Sequence, residues 1–155
     1  MGKIKQNLQV TTGKEILQLK NALGDIFISL IPHKHYIEAK WQGHLTAEDV
    51  ITAAKAYQAY IKLHPCPKLL NDKSEITGEW VEANAWLEFE WLPLVLEAGL
   101  CCLTHVYSDD MLSQLSERDF FNMASPLLQM ETFTDREQAI SWLLACNPKL
   151  LAKAG

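Results

Sequence analysis

A carboxylate, a hydroxyl and an imidazole stand on two apolar segments of this chain, the three groups that a serine hydrolase combines. Asp72 and Ser74 lie in "LLNDKSEITGEW", residues 69–80, and His105 lies in "LCCLTHVYS", residues 100–108. If these segments are neighbouring strands, Asp72, Ser74 and His105 approach one another at the carboxyl edge of a sheet, with Ser108 close by. The nucleophile-elbow pattern Gly–x–Ser–x–Gly is missing, however. An imidazole inside so apolar a run is ordinarily a core residue with one hydrogen bond. Two other readings of the polar cluster compete. Ser74 is a hydroxyl that can accept a phosphate, or Asp72, Ser74 and Thr77 satisfy backbone N–H groups in turns and caps. We expect Ser74 to lie in solvent, between a strand 68–72 and a long helix, and to do no chemistry.

Metal and redox chemistry find less support. His33 and His35 flank Lys34 in "IPHKHY", a turn between two apolar runs. Cys66, Cys101, Cys102 and Cys146 include no Cys–x–x–Cys pair, and the histidines are not spaced as zinc partners for them. The cysteines read as small hydrophobes in a reducing compartment. No metal and no cofactor is implied.

The elements that must position these groups follow from patterning. The 155 residues suit one domain, and a domain of that size buries roughly 70% of its unfolded-chain surface. Fourteen Lys and Arg against nineteen Asp and Glu leave a net charge of −5, which argues against a nucleic-acid surface. No apolar run approaches the ~20 residues of a membrane span, and "MGKIKQNLQVTTGKE" lacks the apolar core of a signal peptide. A cytoplasmic protein is expected, with residues 1–15 as a loose arm and 16–150 as a single domain.

"EILQLKN" is a candidate short strand. "DIFISLI" and "YIEAKWQG" alternate, with Ile37, Ala39 and Trp41 on one face and Tyr36, Glu38 and Lys40 on the other, and "PHKH" joins them as a hairpin. Thr46 and Asp49 signal a helix start, and Val50, Ala53, Ala54, Tyr57 and Ile61 recur at helical spacing until "HPCP". "KLLND", "LCCLTHVYS" and "LQMETF" read as strands. Helices are expected over about 79–98, ended by Gly99, over "SERDFFNMA" behind Ser116 and Asp119, and over "DREQAISWLLA" behind a Thr134–Glu137 capping box. The order predicts an α/β domain: a mixed sheet of about five strands, opened by an N-terminal hairpin, with helices packed on it.

Five stretches then carry a resemblance: "AKWQGHLTAEDV", "LLNDKSEITGEW", "WLPLVLEAGL", "THVYSDDMLSQLS" and "FTDREQAISWL". Their succession of Trp–x–Gly, Asn–Asp, Trp–x–Pro, Ala–Gly and Ala–x–x–Trp–Leu resembles the STAS-like, or SpoIIAA-like, small bacterial proteins, over roughly residues 16–145. The resemblance implies a small mixed sheet flanked by helices and a non-enzymatic regulatory or protein-interaction role. Anti-sigma-factor antagonists of that kind carry an Asp and a phosphorylatable hydroxyl after the third strand, and Asp72 and Ser74 match that placement. Where those proteins have glycine after the hydroxyl, this chain has Glu75. An alternative follows from relatives labelled jointly with CRAL-TRIO domains: a small apolar-ligand carrier, with Trp80, Trp86 and Trp91 lining its cavity.

Helix 79–98 carries the last expectation. Read as a regular α-helix, it places Trp80, Ala83, Leu87, Trp91, Leu94 and Ala98 on one face, towards the sheet. Ala85, Trp86, Phe89, Leu92 and Leu96 then form a second apolar stripe near the opposite side. Glu75, Glu79, Glu82, Glu88, Glu90 and Glu97 surround both. A helix apolar on two faces is covered twice, and a homodimer through the outer stripe is the expected cover. Pro93 is the one residue expected to disturb this phase.

Overall fold

The structure is a computed structural model and describes residues 16–114 and 128–147. The expected arm 1–15, the expected helix behind Ser116 and residues 148–150 lie outside the described residues. A six-stranded sheet runs in the order β1 (Leu17–Lys20), β2 (Ile26–Pro32), β3 (Ile37–Trp41), β5 (Lys68–Lys73), β7 (Cys102–Tyr107) and β8 (Gln129–Phe133). The first three strands are antiparallel, and β3, β5, β7 and β8 are mutually parallel. This is the expected mixed sheet with an N-terminal hairpin, one strand larger than expected. A second, small sheet pairs β4 (Gly43–Leu45) with β6 (Ile76–Gly78) in parallel. Gly78 sits there at φ +110°, a left-handed conformation, and a Cβ on it would collide with the Leu45 carbonyl.

Parallel pairing requires crossovers, which helices supply between the strands, and a further helix after the last strand covers the sheet's other face. α1 (Ala47–Leu63) opens on the expected capping box: the Asp49 N–H donates to Thr46 Oγ1 at 3.1 Å, and the Thr46 N–H to Asp49 Oδ2 at 3.0 Å. Val50, Ala53, Ala54, Tyr57 and Ile61, the periodic positions, are all buried. They cover the sheet face formed by Ile28, Leu30, Ala39 and Leu69. The other face is covered by α5 (Arg136–Ala145), whose Ala139 and Leu143 pack on Leu70, Cys102 and Val106. Each fully buried leucine there contributes about 2 kcal/mol. The cap of α5 lies one residue later than expected. Asp135, not Thr134, accepts from the N–H groups of Glu137 (2.8 Å) and Gln138 (3.3 Å). β7 is buried along its whole length because it is covered from both sides.

The expected continuous helix over 79–98 is a broken segment. A 3-10 turn (Val81–Ala83) leads into α2 (Asn84–Trp86), a π-helical turn (Leu87–Trp91) and α3 (Leu92–Glu97). Pro93 lacks an N–H, and its ring would clash with the carbonyl four residues back. The helix accommodates this by widening just before it, so that the Leu92 N–H donates to the Leu87 carbonyl, five residues away. The extra residue rotates everything after Trp91. Trp80, Ala83, Leu87 and Trp91 face the core as expected, but Leu92 and Val95 follow them inward. Leu94, expected against the sheet, is 42% exposed. Gly99, at φ +115°, closes α3 with bonds from Gly99 N–H to Leu96 O and from Leu100 N–H to Val95 O.

Candidate functional site

β5 divides the polar residues of the chain between two faces. Successive strand side chains point to opposite sides. Leu70 and Asp72 therefore face α5, whereas Leu69, Asn71 and Lys73 face α1 and the π turn. On the α5 side, Asp72 is buried and fully engaged. Its Oδ1 accepts from the Ser74 hydroxyl at 2.6 Å and from the Ser74 N–H at 3.0 Å. Its Oδ2 accepts from Arg136 Nη1 at 2.7 Å, with Lys40 Nζ at 3.9 Å. Arg136 also grips buried Glu38 through both nitrogens, Nη1 to Oε2 at 2.7 Å and Nη2 to Oε1 at 3.1 Å. His33 Nε2 lies 2.8 Å from the same Glu38 Oε1.

One guanidinium thus ties the start of α5 to β3 and β5. Burial pushes both carboxyls up, but their partners outweigh it. Hydrogen bonds from Ser74, then Lys40 and Arg136, hold Asp72 below the ordinary carboxylate value. Arg136 and His33 do the same for Glu38. Arg136 itself is raised, chiefly by its bond to Glu38.

The opposite face holds an opposite arrangement. Lys73 is 6% exposed, and its Nζ lies over the rings of Trp80 (4.8 Å) and Trp41 (5.2 Å). No carboxylate pairs with it among the described residues. Burial lowers its pKa from 10.5 to about 8. The indole N–H of Trp41 donates to Asn71 Oδ1 at 2.5 Å, and Asn71 Nδ2 donates to His105 Nδ1 at 3.1 Å. The neutral His105 ring therefore carries its proton on Nε2. Burial, and then the Lys73 charge, push the His105 pKa down to about 3. Beside these groups is a cavity of about 50 Å³, walled by α1, the π turn and the sheet, with Tyr57, Asn71 and Lys73 in its lining. The Tyr57 hydroxyl is buried and has no hydrogen-bond partner among the described residues, and burial raises its pKa.

The positions singled out in the sequence separate accordingly. Ser74 and Asp72 meet, but His105 projects from the other face of the sheet, so no Ser–His–Asp set forms. Ser74 is half-buried in a tight turn between β5 and β6, where solvent and a helix start were expected. Thr77 is exposed on β6, its Oγ1 3.1 Å from His44 Nδ1. Ser108 caps a helix missed in the sequence, α4 (Asp109–Gln114), by accepting from the Met111 N–H at 3.1 Å. His35 is exposed in the hairpin turn. Of the outer-stripe residues, Ala85 is exposed, Phe89 is 70% exposed, and Trp86 and Leu96 are half-buried. Leu92 is 5% exposed and belongs to the chain's own core, because the π turn rotated it inward. Trp80 and Trp91 are core residues, and the cavity beside Trp91 is small against the roughly 300 Å³ or more of a carrier's pocket.

Arg136, Glu38 and Lys73 were missed as site residues. For Lys73 a signal existed: it continues the Leu69–Asn71 alternation by one more step, which puts it on an inward face.

A mixed sheet with this hairpin, these parallel crossovers and a polar turn after β5 is a SpoIIAA-like fold. A solved structure from Shewanella loihica PV-4, a DUF3478-family protein with a SpoIIAA-like fold, superposes with a TM-score of 0.50. The match is at 21% identity and covers 75% of this chain and 91% of that one. No model of a known protein family and no curated protein matches the chain. No helix among the described residues is long and apolar enough to cross a membrane.

Proposed function

We propose that the chain is a cytosolic, non-catalytic protein-interaction module, with Ser74 as its switch. One observation carries this reading: the Ser74 hydroxyl donates to the carboxylate that also holds Arg136 and hence α5. A phosphate on Ser74 removes that donor and adds roughly −1.5 to −2 charge beside Asp72 and Glu75. Lys40 lies 3.5 Å from Glu75 and 3.9 Å from Asp72, close enough to follow the new charge. The turn then changes both its own charge and its hold on α5, so a partner reading this edge distinguishes the two forms. Hydrogen exchange tests the coupling. Ser74→Asp should speed amide exchange in α5 more than Ser74→Ala does. Protein isolated from its own cells should also contain a phosphopeptide beginning at Ser74. Equal exchange in both variants with no phosphopeptide would remove the switch.

Self-association belongs to the same reading. Phe89 is the largest apolar side chain left exposed on the segment 84–97, and Leu94 joins it in place of Leu92. Glu88, Glu90 and Glu97 rim the surface. A homodimer through this face should become monomeric in Phe89→Glu on size-exclusion chromatography with light scattering. A wild-type chain that is monomeric at high micromolar concentration removes the dimer and leaves the module.

A further inference from the structure

α5 is tied to the sheet at both ends. Arg136 anchors its start to Glu38 and Asp72. Its end is held by the two strands that flank β7. Lys68 Nζ of β5 donates to the Leu144 carbonyl at 3.0 Å, and Gln129 Nε2 of β8 donates to the Asn147 carbonyl at 2.5 Å. Lys68 and Gln129 are also the register partners of Cys102, the first residue of β7. The residue bracketed by those two bonds includes Cys146, whose N–H donates to the Leu143 carbonyl at 3.2 Å where α5 stops. A strand thiol and a helix-end thiol thus meet from 44 residues apart, and their sulfurs lie 2.6 Å from one another. Around them is the apolar cluster of Leu70, Val106, Ala139 and Leu143.

A disulfide needs about 2.05 Å between its sulfurs, so a bond here asks for only a small further approach. In a reducing compartment two such thiols stay reduced until an oxidant arrives, which is the condition for a sensor and not for a permanent bridge. Cys102 is 0% exposed and Cys146 is 8% exposed. Burial pushes the Cys102 thiol up, so it stays protonated and is a poor target by itself. Cys146, at the helix end, is the point of entry.

We infer that Cys102 and Cys146 form a reversible oxidation site, closed to a disulfide by hydrogen peroxide, that locks the end of α5 to β7. The Cys146 thiolate sulfur attacks one peroxide oxygen. An S–O bond forms, the O–O bond breaks, and the departing hydroxide takes up the proton that the thiol released and leaves as water. Cys102 Sγ then attacks the sulfenic sulfur. The S–S bond forms, the S–O bond breaks, and a second water leaves with the Cys102 proton. Two thiols are oxidised to one disulfide, and one peroxide is reduced to two waters. A dithiol reductant reverses the step by exchange. The lock acts at the end of α5 opposite to Arg136 and does not depend on Ser74.

The full chain, reduced and then treated with hydrogen peroxide while folded, should lose two of its four thiols to alkylation in denaturant, and dithiothreitol should restore them. Its mass should fall by two hydrogens, and tryptic digestion should yield the peptide carrying Cys146 linked to the one carrying Cys102. Cys101 shares that second peptide. The link should therefore persist in Cys101→Ser and disappear in Cys146→Ser and Cys102→Ala. In the wild type, oxidation should slow amide exchange in the last turn of α5 by about tenfold or more, and dithiothreitol should reverse it. Four thiols remaining after peroxide, or conversion to sulfinic acid without a link, would overturn the inference. So would a link that Cys101→Ser abolishes, or one that leaves exchange in α5 unchanged.

Discussion

Asp72 and Lys73 are adjacent in sequence, are both buried, and were solvated alike in the unfolded chain, yet the fold treats them oppositely. Asp72 lands among donors: two from Ser74, one from Arg136, and the Lys40 charge beyond. Lys73 lands among indoles and leucines, with no opposite charge among the described residues. One step along a strand is half a turn about its axis, so neighbouring residues sample different solvents. The contrast separates two uses of buried charge. The α5 face closes its charges on one another and gains specificity of docking. The α1 face leaves one charge without an anion among the described residues and holds it on two indole faces instead.

Breaking the closed face should have the larger effect. Arg136→Leu leaves Glu38 and Asp72 buried without their shared cation. Loss of one partner of a buried pair costs up to about 5 kcal/mol, and the partial exposure of Arg136 reduces this to about 3 kcal/mol. Urea unfolding at neutral pH measures it. Both carboxyls have folded pKa values below their ordinary ones, so their contribution is present above the unfolded value and is lost as pH falls through the folded one. The gap between wild type and Arg136→Leu should therefore narrow below about pH 4.

Relieving the open face should have the opposite sign. A pKa lowered from 10.5 to about 8 means the folded state disfavours charged Lys73 by about 3 kcal/mol. Substitution also removes the attraction between the ammonium and the two indole faces, which offsets about 1 kcal/mol of that gain. Lys73→Met should stabilise the chain by about 2 kcal/mol, read as a higher midpoint in urea. Above about pH 8 the unfolded chain keeps a proton on Lys73 that the folded chain has released, so wild-type stability should rise towards pH 10.5. That rise should vanish in Lys73→Met.

His105 sharpens the same comparison in acid. Its pKa falls from 6.5 to about 3, so below pH 6.5 the unfolded state binds a proton that the folded state refuses. Wild-type stability should decline from pH 6.5 down to about 3, a decline that begins well above the pH at which the carboxylate contribution is lost. His105→Gln should flatten the upper part of that decline. The smallest effect belongs to Ser74→Ala, which deletes the hydroxyl donor but leaves the backbone N–H on Asp72. About 1 kcal/mol is expected in urea unfolding.

Periodicity made most of the framework legible. The alternation in 26–32 and 37–41, the Thr46–Asp49 box and the spacing from Val50 to Ile61 are local signals, and each produced the element it announced. Asp72 beside Ser74 was likewise legible as a pair, because a two-residue separation across a turn is a local fact. Legibility ended where a choice depended on a distant segment. Gly99 was readable as a stop, but the π turn before Pro93 was not. Whether a helix breaks or widens at proline depends on which side chains the core accepts, and here it accepted Leu92 and Val95 in place of Leu94.

The chain's composition and spacing settled that a hairpin and parallel crossovers would form, because those depend on residues a few positions apart. The tertiary structure alone decided that Arg136 reaches Glu38 and Asp72 across separations of 98 and 64 residues. It decided equally that His105 and Asp72 are parted by the sheet, and that Lys73 meets two indoles in place of a carboxylate. Such outcomes follow from strand order and register, which fix which face each side chain shares and with whom. No window along a single strand contains that information.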